Sequence, residues 1–287
     1  MISTALACAL APMLIGGTVG AQTDAEPSDA SETAGQDSTA HDPWADSVLR
    51  WPDPLAASQL GTDAVYYWFS RADRRSLLPE PTAQRPLRIW AGGDSMSGGP
   101  VYGFRQLVGD DERFRFTEEI VVSSGVVTEW YFDWIGHMAD EVAEGPYDVI
   151  VLAMGANDKQ RFREHPDPVG SEAWSHRYQR RVREIVAAAA RPGRLVVWVG
   201  LPPLGTDYLA DLPGIVNPLA VAATADIAGT VFWDTFATMA VDGNYAQHLG
   251  PEHGDRAIRT SDGVHYTLYG GRLLTEPILA EIYRRSG

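Results

Sequence analysis

In "DVIVLAM", residues 148–154, six apolar residues follow a single aspartate without polar interruption. A strand that turns one face to water alternates polar and apolar side chains; one covered on both faces does not. "RLVVWVG" (194–200) reads the same way, and "LRIWA" (87–91), "FTEEIVV" (116–122) and "TVFWD" (230–234) are further compact β-rich runs. Between them, Trp174, Tyr178, Val182, Ile185, Val186 and Ala189 recur at spacings of mostly three and four, which is one face of a helix, and Gly193 is its stop. In 267–284, Leu274, Ile278 and Ile282 share a face, with Pro277 set to kink the helix or begin a new one. Strands alternating with helices predict an α/β domain over 86–287, a five-stranded doubly wound parallel sheet.

The rest of the chain reads differently. Residues 3–17, "STALACALAPMLIGG", are too short and glycine-broken for a comfortable membrane span. They suit the apolar region of a secretory leader ending at the small residues 19–21, although no Lys or Arg precedes them. Residues 22–45 are rich in Ser, Thr, Ala and acids and nearly free of large apolar groups, as expected of a disordered acidic tether. Residues 46–85 carry Trp51, Leu55, Leu60, Val65, Tyr66, Tyr67, Trp68 and Phe69, predicting one or two short helices before a Pro-punctuated linker. Seven acids and no Lys or Arg fall in 22–46, so the net charge of −15 leaves about −8 elsewhere. That balance disfavours a nucleic-acid partner. Cys8 is the only cysteine, so no intrachain disulfide can form. With the leader removed, no stable membrane insertion is expected.

"IWAGGDSMSGGP" (89–100) places an Asp and a Ser after two glycines at a strand end. It lacks the Lys-Ser/Thr pair of a phosphate loop, the glycine spacing of a dinucleotide site, and the final glycine of a G-x-S-x-G elbow. Ser95 as a nucleophile needs a base, a group to orient that base, and donors for an oxyanion. "SDGVHYT" supplies Asp262 and His265 three residues apart, so Asp262 can hold the imidazole, or a backbone carbonyl can share that task. The Ser95 amide, the Gly125 amide and the Asn157 side-chain amide are suitable oxyanion donors, and glycine at 125 would let substrate approach the backbone. Gly93 and Gly155 read as strand-end turns, Asp94 as a turn former bonding backbone amides, and Asp158 as either helper or structural group. Trp130, Tyr131, Phe132 and Trp134 could floor a sugar cleft or belong to the core. His248, His253, Asp255 and His265 match no metal-ligand spacing, so neither metal nor cofactor is expected. "VDGNY" (241–245) reads as a hairpin turn.

Gly93-Asp94-Ser95, Gly125, Gly155-x-Asn157-Asp158 and Asp262-x-x-His265, in this order, resemble the four sequence blocks of the SGNH/GDSL hydrolase superfamily. The resemblance covers about 86–287 and implies a flavodoxin-like sheet. It also implies Ser95 as nucleophile, His265 as base, Asp262 as its orienting acid, and Ser95, Gly125 and Asn157 as the oxyanion hole. "SSGVVTEWYFDW", "MGANDKQ" and "RTSDGVHYT" resemble a bacterial cell-envelope subgroup of uncertain substrate. One departure is Met96-Ser97 after the serine, where lipase-like members carry small or aliphatic residues; it argues against lipid esters.

The expected function is an exported, periplasmic or cell-wall-associated serine esterase that removes acyl groups, foremost acetyl, from an envelope glycan. The alternatives are an O-acyltransferase using the same residues and a non-catalytic glycan-binding module with a relict site. The substrate partner in each case is a glycan or small ester, and the sequence leaves the oligomeric state open.

Overall fold

The structure is a computed structural model that describes residues 78–287. The leader, the acidic tether and residues 46–77 of the expected helical extension lie outside the described residues. Five strands form one parallel sheet: β1 (Leu87–Gly93), β2 (Phe114–Ile120), β3 (Val149–Ala153), β4 (Leu195–Val199) and β5 (Thr230–Trp233), in the order β2-β1-β3-β4-β5. This is the flavodoxin-like order, whose direction of winding reverses between β1 and β3. β3 and β4 are buried at every position, as their unbroken apolar runs require. β2 is an edge strand with only its first residue buried.

Right-handed crossovers on either side of the reversal send the helices to opposite faces. On one face α1 (Gly98–Val108) packs along the last helix, α6 (Leu268–Arg284). On the other, α3 (Glu172–Ala189) packs on α4 (Leu212–Thr224). The predicted stripe Trp174, Tyr178, Val182, Ile185, Val186 and Ala189 is the buried face of α3. Two short helices, α2 (Trp134–His137, continuing as a π turn) and α5 (Phe236–Met239), fill connections. The 241–245 turn joins the antiparallel pair β6 (Ala240–Val241) and β7 (Asn244–Tyr245) through Asp242 and Gly243, both at positive φ.

Two local expectations change. β2 begins and ends two residues earlier than predicted: the Val121 amide still donates to the Gly93 carbonyl at 2.9 Å, but the Val121 carbonyl turns away to accept from the Ser124 amide, and Ser123 takes a φ of +67°. α6 runs through Pro277 without a break; its fixed φ suits a helix, and packing on α1 compensates for the lost hydrogen bond. Residues 79–85, most of the expected Pro-punctuated linker, hold no helix or strand. Leu78 pairs with the chain end, its amide donating to the Arg285 carbonyl at 2.9 Å and its carbonyl accepting from the Gly287 amide at 3.2 Å.

α6 starts beside the carboxyl rim of the sheet and returns to the amino ends of the strands, where Tyr283 meets Phe114, the first residue of β2, edge-on at 5.6 Å. Leu78 therefore docks at the sheet end opposite the rim. Among the described residues no helix is long and apolar enough to cross a membrane.

Candidate active site

β1 ends on Gly93, whose φ is +142° and where a Cβ would stand 2.1 Å from the Ala153 carbonyl oxygen. Only glycine lets β1 and β3 lie this close at the rim. Asp94 follows, fully buried. Its Oδ1 accepts from the Met96 amide at 2.7 Å and starts the single helical turn Ser95–Ser97; its Oδ2 accepts from the Gly155 amide at 2.8 Å. Burial pushes its carboxyl up to about 7, while the Gly155 and Met96 amides pull it down and the neighbouring Asp158 charge adds to the rise. Asp94 thus clamps the serine turn of β1 to the glycine turn of β3.

Asp158 does the same between β3 and β2. One oxygen accepts from the Val127 amide at 3.0 Å, the other from the Val126 amide and the Tyr178 hydroxyl, each at 3.1 Å. Burial raises it to about 6 against the pull of those bonds. A Cβ on Gly125 would lie 2.3 Å from Asp158 Oδ1. The glycine is required by this buried carboxylate, a different reason from the open approach to substrate expected from the sequence. Asn157 Nδ2 donates to the Ser124 carbonyl at 2.9 Å, which uses one of its two amide hydrogens, and Trp134 Nε1 donates to Ser124 Oγ at 3.0 Å. Among the described residues nothing accepts from the Gly125 amide.

The third contribution comes from the loop before α6. Ser95 Oγ lies 2.8 Å from His265 Nε2, and His265 Nδ1 lies 2.6 Å from Asp262 Oδ2, across 170 residues of chain. The other Asp262 oxygen accepts from the Thr260 hydroxyl at 2.7 Å and from the Val264 and His265 amides at 2.8 and 3.0 Å. Partial burial alone would raise the Asp262 carboxyl, but the bonds from His265, Thr260 and the two amides outweigh it and hold the group well below the ordinary carboxylate range. An ionised carboxylate only accepts, so Nδ1 carries the proton and Nε2 is left to accept from Ser95. Serine, imidazole and carboxylate therefore form one directed chain of hydrogen bonds, with Asp262 rather than a backbone carbonyl on Nδ1.

The aromatic run divides. Trp134 is buried, 1% exposed, with Phe132 packed on it at 4.7 Å between ring centres. Trp130 and Tyr131 are 56% and 53% exposed, and the Arg163 guanidinium lies 5.3 Å from the Trp130 ring centre, spanning the loops after β2 and β3. Among the described residues no three His, Cys, Asp or Glu side chains converge as metal ligands would. Thr260 and Tyr178 escaped the sequence reading. Thr260 carried a usable signal, two residues before Asp262 in "RTSDGVHYT"; Tyr178 showed only as one more member of an apolar stripe.

A parallel sheet in this order, with a serine turn after β1, a glycine after β2, an asparagine after β3 and an Asp-x-x-His loop before the last helix, is the arrangement that the resemblance to SGNH/GDSL hydrolases implies. The chain belongs to the family described as "Protein of unknown function (DUF459)", which matches residues 88–281. No curated protein matches the sequence. Similar solved structures include a carbohydrate esterase family 3 protein from Talaromyces cellulolyticus, at 13% identity over 70% of this chain and 100% of that one, TM-score 0.46. A putative acylhydrolase from Bacteroides fragilis aligns at 15% identity over 76% and 97%, TM-score 0.47. A catalytic mutant of an acetylxylan esterase from Geobacillus stearothermophilus aligns at 15% identity over 69% and 94%, TM-score 0.45.

Proposed function

We propose that the protein is an exported serine esterase that hydrolyses acyl esters carried by a cell-envelope glycan, with acetyl as the smallest such group. The observation that carries this reading is the unbroken chain Ser95 Oγ, His265 Nε2, His265 Nδ1, Asp262 Oδ2 at 2.8 and 2.6 Å. In the reaction, Ser95 Oγ attacks the ester carbonyl while its proton passes to His265 Nε2. The oxyanion draws on the Ser95 and Gly125 amides and the second amide hydrogen of Asn157. Collapse of the tetrahedral adduct expels the alcohol, which takes the proton from Nε2 and leaves an acyl-serine. Water, deprotonated by the same nitrogen, then releases the acid and restores the serine.

The glycan reading is supported by the exposed Trp130 and Tyr131 beside the Gly125 loop, since flat aromatic faces suit sugar rings. The His265 and Asp262 side chains are 41% and 49% exposed, so water reaches the imidazole, which favours hydrolysis over transfer to a second sugar. An intact hydrogen-bond chain speaks against a relict binding module. Export rests on the apolar leader and acidic stretch of the sequence.

The test is a fluorophosphonate probe with peptide mass mapping, alongside turnover of a p-nitrophenyl ester. Label on the Ser95 peptide, lost when the protein is unfolded, is expected; labelling elsewhere or none at all refutes the nucleophile. A pH-rate profile gives a second check. His265 must be neutral to accept the serine proton, and Asp94 must be ionised to accept the amides that hold Ser95 in place. Because burial raises the Asp94 carboxyl to about 7, its proton adds as the pH falls through neutrality and loosens the clamp on the serine turn. Asp262, held low, stays charged and adds no step. kcat/KM is expected to fall as the pH drops through neutrality; a flat acid limb would remove His265 as the base.

A further inference from the structure

A cavity of about 390 Å³ opens directly beside Ser95 and His265. Its walls come from three places that the sequence keeps apart. The turn after β2 brings Ile120 and Val122, the start of α1 brings Gly98, Gly99 and Tyr102, and the catalytic loop brings Tyr266. The Tyr266 ring lies against the Gly99 backbone and closes one side. Val122 is 59% exposed, an unusual state for an aliphatic residue at the mouth of a site. Of the polar residues in the lining, Thr260 and Asp262 are already committed to each other and to the loop. What remains is a mainly apolar wall with the nucleophile at one end, and few groups that could bind sugar hydroxyls.

We propose that this cavity receives the acyl chain of the ester and that the chain is longer than acetyl, at about six to ten carbons. The inference rests on the esterase reading and specifies its acyl side. A methylene is similar in size to a water molecule, whose share of liquid volume is about 30 Å³, so an acetyl group would leave most of the cavity to solvent. Such a chain covers Ile120, Val122 and the Tyr102 ring, and each methylene withdrawn from water contributes to binding. The departure at Met96-Ser97 has no bearing on this preference. Both residues are buried, Ser97 Oγ donates to the Asp94 carbonyl at 2.7 Å, and neither lines the cavity. The argument against lipid esters drawn from those two positions therefore falls.

The experiment uses the full chain and p-nitrophenyl esters from acetate to dodecanoate. kcat/KM is expected to rise about two- to fourfold per added methylene up to about eight carbons, then level. Val122→Asp, at an exposed position where folding is not at stake, is expected to lower the octanoate-to-acetate ratio at least about tenfold by setting a charge against the chain. Val122→Ala should lower the ratio by a smaller factor, about two- to threefold. A parallel series of alkyl acetates, with the chain on the alcohol, is expected to be flat. A profile that peaks at acetate, a ratio untouched in Val122→Asp, or a rise in the alkyl acetate series overturns the acyl assignment, while Ser95-dependent turnover of acetate keeps the esterase standing. Absence of turnover for every ester, with Ser95 unlabelled, sinks the esterase reading and this inference with it.

Discussion

Ser95→Ala is expected to lower kcat for a p-nitrophenyl ester by about five to six orders of magnitude while leaving the unfolding midpoint nearly unchanged. The size follows from the loss of the covalent route. Without Oγ the site can only activate water at some distance from the carbonyl, and what remains is substrate positioning and the oxyanion donors. The small effect on stability follows from what the hydroxyl touches. Its hydrogen-bond partner is His265 Nε2, a side chain open to water that can be solvated in its place. The turn itself is held by Asp94 and by the Ser97 hydroxyl, both untouched by the substitution. Stopped assays on purified variant and wild type, with thermal melts of both, check the two halves together. Activity within a factor of about ten of wild type would exclude Ser95 as the nucleophile.

Asp262→Asn is expected to cost about 10⁴-fold in kcat with little change in folding. An asparagine oxygen can keep the bonds from Thr260 and from the Val264 and His265 amides, so the loop before α6 stays in place. Its amide nitrogen then faces His265 Nδ1 and donates to it. That forces the ring proton onto Nε2, the atom that has to receive the proton of Ser95. The base is present and correctly placed, yet in the wrong tautomer. Asp262→Ala separates the two roles. It loses the loop contacts as well, and should lower the melting temperature along with the rate. Equal activity in wild type and Asp262→Asn would show that the imidazole is oriented by something other than this carboxylate. The wild-type carboxyl is depressed, so its contribution to loop order is present above the usual carboxylate range and is lost only as the pH falls through its low folded value.

The fold was legible wherever a strand is buried on both faces, because there the apolar run is uninterrupted and permits no other placement. β3 and β4 are the examples. The end of β2 was not legible, since Val121 and Val122 have every propensity for a strand and leave it only because a turn downstream captures the Val121 carbonyl. The pairing of Leu78 was not legible either, since its partner is the chain end, some 200 residues away. At the site, Ser95, Asp262 and His265 stood out because the chemistry limits which residue types can serve. The reason for Gly125 was hidden. A glycine reads the same whether it makes room for a ligand or for the Asp158 carboxylate, and only coordinates distinguish the two. The cavity was invisible to a linear reading, since its walls come from three segments whose meeting is set by the packing of α1 on α6 and the register of an edge strand.

The docking of Leu78 against residues 285–287 fixes where upstream chain joins the body, at the pole of the sheet farthest from the serine. Leu78 thus enters the described body on the side away from the Ser95 rim. A cargo fused after Gly287 would accordingly press on the strand-like seam that receives Leu78, whereas the same cargo would leave the opposite, serine-bearing end of the sheet uncrowded.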